Sequence, residues 1–579
     1  MRQFQQVFRT RLKKSGFPLS HDKVLTMRMG RLTPTMMFDT IPGDHLSGSS
    51  ELFVRFMPLQ YPVMHRVNIH SHTYKIPFRI LMKDYGTWIK GVDNNGNKST
   101  ETLPTFDPYD VLQGLPQEKI FELFGPSSLW DYLGYPAVVP GIVPHENINR
   151  FGQVSMLPLL AYAMVWNEFY RDSELHEEID IKYWEWTIQN TQEKMIELLK
   201  IRNRCWEKDY FTTARPDTQK GDSIKIPGQS VITSSGIVKY DPLSGSDGQR
   251  WRDTTGTTNV GLYNSAPATF QGLDNASGSV NSAYMQGPWI GSKGGGNINL
   301  DMDPNGTLYV DSQTAVPQDL ADINQLRQAF QLQHYLEALQ RAGNRLWDWL
   351  MTIFGVDSKF ARLQMPEYVG GHEQNVIFSE VLQTSETTLN SPQGEMSGHG
   401  ISVGTGRGWK VFCEEHCIML TITSLLPRTK YMLGLQRFLY KTDPLEFGLP
   451  QFAHLGKQAL LQKELRLVPG REDLNESVFG YVDRYSEYKF IPSSIHGQML
   501  ESQTDWHLAR MFPYKGINGD YRDAVPLNGD FVTTNPDVLS RIFAVTQSDT
   551  DNLVVNVLNH VKGVRPLPRH TIPGYADHP

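Results

Sequence analysis

Between Arg55 and Gly91 the chain reads RFMPLQYPVMHRVNIHSHTYKIPFRILMKDYGTWIKG, and its apolar residues fall at a spacing of two. Val63, Val67 and Ile69 alternate with Met64, Arg66, Asn68 and His70. Such alternation puts one set of side chains on each face of an extended segment, so it predicts a half-buried β-strand. Tyr74, Ile76, Phe78 and Ile80 predict a second extended run after Ser71-His72-Thr73. The period then lengthens, and Leu81, Tyr85, Trp88 and Ile89 suit one face of a short helix. Pro58, Pro62 and Pro77 punctuate the stretch. A proline cannot donate to a ladder, so strands near them are expected to be short or at sheet edges.

Composition agrees with a loop-rich β protein. The 579 residues include 48 Gly and 35 Pro, with 39% hydrophobic and 20% charged residues, enough to bury a sizeable core. The net charge of −7 argues against a wholly basic nucleic-acid coat but leaves room for a local basic surface. Cys413 and Cys417 lie four apart in a predicted strand, too far for an ordinary disulfide. With Cys205 they are expected to be free thiols, as in a reducing cytoplasm. No signal peptide and no apolar run of spanning length is present, so no membrane insertion is expected.

Residues 1–31 hold eight Lys/Arg (Arg2, Arg9, Arg11, Lys13, Lys14, Lys23, Arg28, Arg31) against one acid, Asp22. Aromatic residues interleave with them. A basic arm of this kind neutralises phosphates and stacks on unpaired bases, with Arg9, Arg11, Lys13 and Lys14 as its candidate nucleic-acid contacts. Residues 157–175 predict a helix on which Glu168, Arg171 and Asp172 would pair at i, i+3 and i, i+4. That arrangement is structural rather than catalytic.

From Asp217 to Pro317 the chain turns polar and Gly/Ser/Thr-rich, yet carries large aromatics such as Trp251, Tyr263, Phe270 and Trp289. These are too many for a linker, and they point to an ordered surface insertion of short strands. Asp301, Asp303 and Asn305 match the first half of a calcium loop, but the twelfth position is Ser312 where a glutamate is wanted. A hairpin of INLDM with TLYVD around Pro304-Asn305-Gly306 is the plainer expectation. Residues 319–354 carry the clearest helical period, with Gly343 as a bend or break and Gly355 as a cap. Gly404, Gly406 and Gly408 lack the Gly-Lys-Ser/Thr that a phosphate loop needs. Glu414, Glu415 and His416, read as strand neighbours, would point to opposite faces and miss a common ion.

The segment PVMHRVNIHSHTYKIPFRIL, with FVRFMPLQ before it, resembles the major capsid protein of microviruses, the small single-stranded DNA phages. The likeness recurs in WNEFYRD (166–172), DYFTTARPDTQKG (209–221), LRQAFQLQHYLE (326–337), FGVDSKFARLQMPEYVGG (354–371), FAHLGKQALLQKEL (452–465), FGYVDRYSEYKF (479–490) and HLARMF (507–512). It skips the polar insertion, as in the gokushovirus branch. The resemblance implies an eight-stranded antiparallel jelly roll with long inter-strand loops, several helices and a large surface insertion. It divides the chain into a basic arm (1–31), a first part of the jelly roll (32–216), the insertion (217–317) and a second part (318–579).

The resemblance also implies self-assembly into an icosahedral T=1 shell around a single-stranded DNA genome, in the virion, after assembly in the host cytoplasm. Further partners would be a small basic DNA-binding protein, a DNA pilot protein and a host cell-surface receptor met by a three-fold protrusion of the insertion. No cofactor or catalytic residue is expected. A β-sandwich carbohydrate-active hydrolase or a lectin is the alternative that Trp and Tyr content permits, although nothing places two carboxylates across a cleft.

Overall fold

The computed structural model describes residues 12–92, 95–139, 152–221, 344–357, 364–382, 396–512, 524–545 and 550–570, with helix Ile323–Ala342 and short strands between 237 and 311. The chain divides into two compact units, 1–221 with 335–579, and 222–334.

Two antiparallel sheets organise the larger unit. The strands of these two sheets are β1 (Ser15–Pro18), β2 (His21–Met27), β3 (Thr33–Thr40), β4 (His45–Phe56), β5 (Val67–Pro77), β6 (Glu367–Asn375), β7 (Ile377–Leu382), β8 (Met396–Thr405), β9 (Trp409–Phe412), β10 (Cys417–Pro427) and β11 (Leu553–Arg565). One sheet runs β2-β11-β4-β8-β7, with β1 also on β11 and β9 also on β4; the other runs β6-β5-β10-β3. β11 is matched to β4 from Leu553 opposite Phe56 to Val564 opposite His45.

The two sheets obey different sequence rules because they have different surroundings. In β11 Leu553, Val555, Val557, Asn559 and Val561 are buried while Val554, Asn556 and His560 are exposed, the mark of a sheet with one covered face. β10, CIMLTITSLLP, is buried at every position. One of its faces joins the sandwich, and the other carries Ile418, Leu420 and Ile422 into a cluster with Trp130, Leu160, Tyr162 and Leu198. Helices Gln117–Phe124, Leu129–Tyr132, Leu157–Val165 and Thr191–Leu199 supply that second cover.

Between the sheets the core has three layers. At one end Met27, Leu52, Val54, Ile69, Leu425, Val555 and Val557 pack together. At the other end Met36, Leu46, Trp409, Met419 and Val561 do so. Polar side chains separate them. Ser50 Oγ donates to Asn559 Oδ1 (2.9 Å), Asn559 Nδ2 donates to Thr35 O (3.4 Å), and the hydroxyl pairs Thr35–Thr423 and Thr73–Thr421 each meet at 2.9 Å. Asn559 is fully buried, so these bonds offset its desolvation. Gly48 also has a packing reason: a Cβ there would lie 2.5 Å from Trp409 Cζ2.

Several sequence expectations change in the structure. The two extended runs after Pro62 merge into the single strand β5, which is central rather than at an edge, with Pro77 as its last residue. Phe78 and Ile80 lie in a helical turn, and Asp84 in the left-handed region (φ 53°) separates it from Tyr85–Lys90. Of residues 1–31, read as an arm, 15–18 and 21–27 are strands paired with β11. Cys413 and Cys417 are free and buried but do not share a strand. A bend at residues 414–415 precedes β10, and Cys417 Sγ donates to Glu415 O (3.1 Å), so the in-strand distance argument does not apply.

The long helix breaks into Ile323–Ala342 and Leu346–Phe354, and Gly355 (φ 65°) caps the second through its N–H on Leu350 O and Met351 O. Among the described residues no helix is long and apolar enough to cross a membrane.

In the smaller unit Thr307–Asp311 pairs with Ile237–Asp241, and Leu300–Asp301 pairs with Trp251–Asp253. Among the described residues the expected INLDM/TLYVD hairpin is therefore not formed, since each strand takes a partner more than 45 residues away. Tyr263 stands opposite Trp289 in a third pair of strands.

Asn559→Ala should lower the unfolding free energy by about 1–3 kcal/mol, the cost of leaving buried partners unbonded. Asn556→Ala, on the solvent face of the same strand, should change it by less than about 0.5 kcal/mol. Urea titration of both variants checks this, and equal effects would refute the polar layer.

Candidate functional site

The chemistry-bearing segment Trp166–Asp172 follows helix Leu157–Val165. The backbone widens over Trp166–Tyr170 into a π-type turn and becomes extended at Arg171. Buried Asn167 then clamps the returning loop: its Nδ2 donates to Ile179 O (2.8 Å) and its Oδ1 accepts from Ile179 N (2.9 Å).

Charged partners come from far along the chain. Glu168 faces Arg345 (3.7 Å) and Arg171 faces Glu178 (3.7 Å). Asp172, with its side chain 4% exposed, bonds Lys208 and lies 3.5 Å from Arg215, which also reaches Glu174 at 3.1 Å. Arg345 Nη2 donates to Asn167 O and Arg171 O, both at 2.8 Å. The expected i, i+3 and i, i+4 ion pairs are thus absent from these three residues. The helix ends before they can form, and each charge bonds a different segment.

Burial alone would raise the Asp172 carboxyl, but Lys208 and Arg215 outweigh it and hold the group below the usual carboxylate range. Burial raises Glu168, which Arg345 only partly offsets. Beside this node is a cavity of about 620 Å³, lined by His72, Tyr74, Tyr170, Asp172, Arg204 and Arg345 among others. His72 Nδ1 meets Tyr170 OH at 2.9 Å, and burial, reinforced by Arg204, pushes its imidazole down to about 3. His72 is therefore neutral near pH 7 while Asp172 is ionised. The arrangement ties three chain segments together through mutual charge.

Other sequence candidates lie apart from it. Glu415 takes a two-point contact from Arg79 (3.1 Å each) and His416 Nδ1 meets Tyr85 OH at 2.7 Å, while Glu414 is exposed. All three occupy the turn before β10, not a strand. Gly404 lies within β8, and Gly406 donates its N–H to Ser50 O (2.8 Å). Among the described residues no three His, Cys, Asp or Glu side chains come together in a cation-binding group.

Lys13 is exposed. Lys14 donates to Gly43 O (2.8 Å) and sits 5.8 Å from the Phe412 ring centre. Arg9 and Arg11 lie outside the described residues. Two further cations of the basic segment are internal fasteners: Lys23 bonds Tyr132 O (2.6 Å), and Arg28 bonds Asp537 (2.5 Å). Burial, only partly countered by Asp131, takes Lys23 down to about 8. Trp251, Tyr263, Trp289 and Asp301 fall in the short strands described above, whereas Phe270, Asp303 and Asn305 lie outside the described residues.

Sequence reading missed buried Glu464, which accepts from Tyr210 OH (2.8 Å), Tyr440 OH (2.8 Å) and Arg437 Nη1 (3.2 Å). Its partners come from 24 to 254 residues away, so no local spacing could announce it.

A family described as "Capsid protein (F protein)" matches residues 5–575. Capsid protein VP1 of Bdellovibrio phage phiMH2K is 28% identical over 583 residues, 98% of this chain and 97% of its own. Capsid protein VP1 of Chlamydia phage 1 is 28% identical over 613 residues, 99% and 97%. Capsid protein VP1 of Spiroplasma virus 4 is 24% identical over 588 residues, 97% and 95%.

Asp172→Ala should destabilise the subunit by about 3 kcal/mol, because Arg215 loses a buried partner. The folded-state pKa of Asp172 is depressed, so its contribution is present above the unfolded value of about 3.9 and fades as pH falls through it. The gap between wild type and Asp172→Asn in chemical denaturation should accordingly narrow below about pH 4. A gap independent of pH would contradict the ion-pair account.

Proposed function

The chain belongs to the capsid protein (F protein) family and is the major capsid protein of a small phage, located in the virion, and on that basis we propose that its copies close into a T=1 icosahedral shell around a single-stranded DNA genome. The whole-length family match carries this reading. The three relatives are all named as capsid proteins, which leaves the hydrolase and lectin readings without support.

The proposed shell-forming core is an eight-stranded jelly roll made of β2, β3, β4, β5, β6, β8, β10 and β11. Numbered in chain order, these strands lie 1-8-3-6 in one sheet and 2-7-4-5 in the other, the order two Greek keys produce; this supports the reading. The basic segment before Ser15 would face the genome. A small basic DNA-binding protein and a DNA pilot protein would share the interior.

The polar insertion, with Trp251, Tyr263, Phe270 and Trp289, would associate at three-fold axes and meet a host receptor. About 100 residues with little apolar area are marginal alone, and three copies would supply the missing burial.

Electron microscopy of purified protein should show closed shells. Replacing Arg9, Arg11, Lys13 and Lys14 together by Gln should lower packaged DNA more than shell yield. Unchanged DNA content, with an antibody to the arm binding intact particles, would refute the interior placement. Replacing residues 222–315 by a short Gly/Ser linker should give shells that assemble but adsorb poorly to host cells. Full adsorption would refute the attachment role.

A further inference from the structure

Away from the charge node, the chain presents an apolar surface that none of the described residues covers. Phe438 is 64% exposed, Leu439 61%, Phe447 51%, Tyr488 59%, Phe490 52% and Ile491 87%. They are contiguous. Phe438, Tyr488, Phe490 and Ile491 share the wall of a cavity of about 280 Å³, and Lys441 lies 4.3 Å from the Tyr488 ring centre and 5.7 Å from that of Phe447. At roughly 100 Å² apiece, about half of a buried aromatic's area, six side chains expose about 600 Å². That is the upper end of what a monomer leaves bare and close to the ~800 Å² per partner of a stable interface.

The two cations lining the cavity are already matched. Lys441 donates to Glu487 (2.6 Å), and Arg437 pairs with Glu464 (3.2 Å) and Glu487 (3.9 Å). An apolar rim with internally neutralised charge suits an apolar protein surface and offers little to a phosphate backbone.

A second bare apolar element has the opposite shape. Helix Leu346–Phe354, LWDWLMTIF, has seven apolar residues in nine and none buried, with Leu346 58%, Met351 53% and Phe354 61% exposed. Rings of identical subunits need two different, complementary patches on each copy, so that one copy's plug meets the next copy's socket.

We propose that the surface formed by Phe438–Phe447 and Tyr488–Ile491 is a subunit–subunit socket, and that its occupant is the Leu346–Phe354 helix of a neighbouring copy of this chain. This rests on the capsid reading and adds to it which surfaces meet. In the shell an apolar side chain of the helix enters the 280 Å³ cavity, and the aromatic rim closes around it.

The test uses the full chain. Hydroxyl-radical footprinting of free subunits and assembled shells should show Phe438, Tyr488, Phe490 and Phe354 oxidised several-fold less in shells. Phe438→Glu with Ile491→Glu should reduce shell yield at least tenfold while circular dichroism and melting temperature of the subunit stay unchanged. Shells of an Ile491→Cys, Phe354→Cys double variant should give covalent multimers on mild oxidation, and each single variant should not. Equal oxidation in both states, or wild-type shell yield from the charged variant, overturns the socket. Protection without double-variant multimers overturns the helix as its occupant. Should wild-type protein form no shells at all, the capsid reading itself falls and takes the socket with it.

Discussion

A strand buried on both faces sets the architecture. β10 has no exposed position, so one side needs a facing sheet and the other a helical layer. The long excursions from 78 to 221 exist, in physical terms, to deliver that second cover. Their helices are short, and their stability comes from packing on Ile418, Leu420 and Ile422 rather than from propensity. A break in this layer would expose the β5–β10 pair, whose residues are too apolar to face water.

The charged residues fit the same logic. Glu168, Arg171, Asp172 and Arg345 all stand between β5 and β6, and they bind loop to loop across 7 to 177 residues of sequence. Exposed ion pairs contribute little, but Asp172 and Glu174 are nearly closed to solvent and hold several partners each. A cluster that looks catalytic in one dimension acts in three as a fastener.

What the sequence revealed was what depends on near neighbours. The spacing of two across Val67 and Ile69 and the stop at Gly355 are local signals, and the structure places a strand and a helix end there. Pairing partners are not local. β2 was hidden inside a basic segment because charge drew attention from Val24, Leu25 and Met27, and its partner lies more than 500 residues on. Leu300–Asp301 and Thr307–Asp311 looked like a hairpin because they are adjacent, yet each has a distant partner. Cys413 and Cys417 are free thiols as expected, but the strand expected to carry both is interrupted by a bend before β10. The exposed aromatics near Phe438 escaped notice because exposure is a property of the folded surface.

β11 occupies the middle of its sheet, between β2 and β4, though it follows β4 by almost the whole chain. This gives the subunit a high contact order, and closing so long a loop is slow relative to local structure formation. Until that strand arrives, β2 and β4 each present an unpaired edge, an invitation to join a strand from another copy. The polar rung at Asn559 restrains such errors, since a two-residue slip would move the asparagine into an apolar layer. The order of events is thereby fixed: the subunit must finish its own sheet before its outer surfaces can be trusted to meet a neighbour.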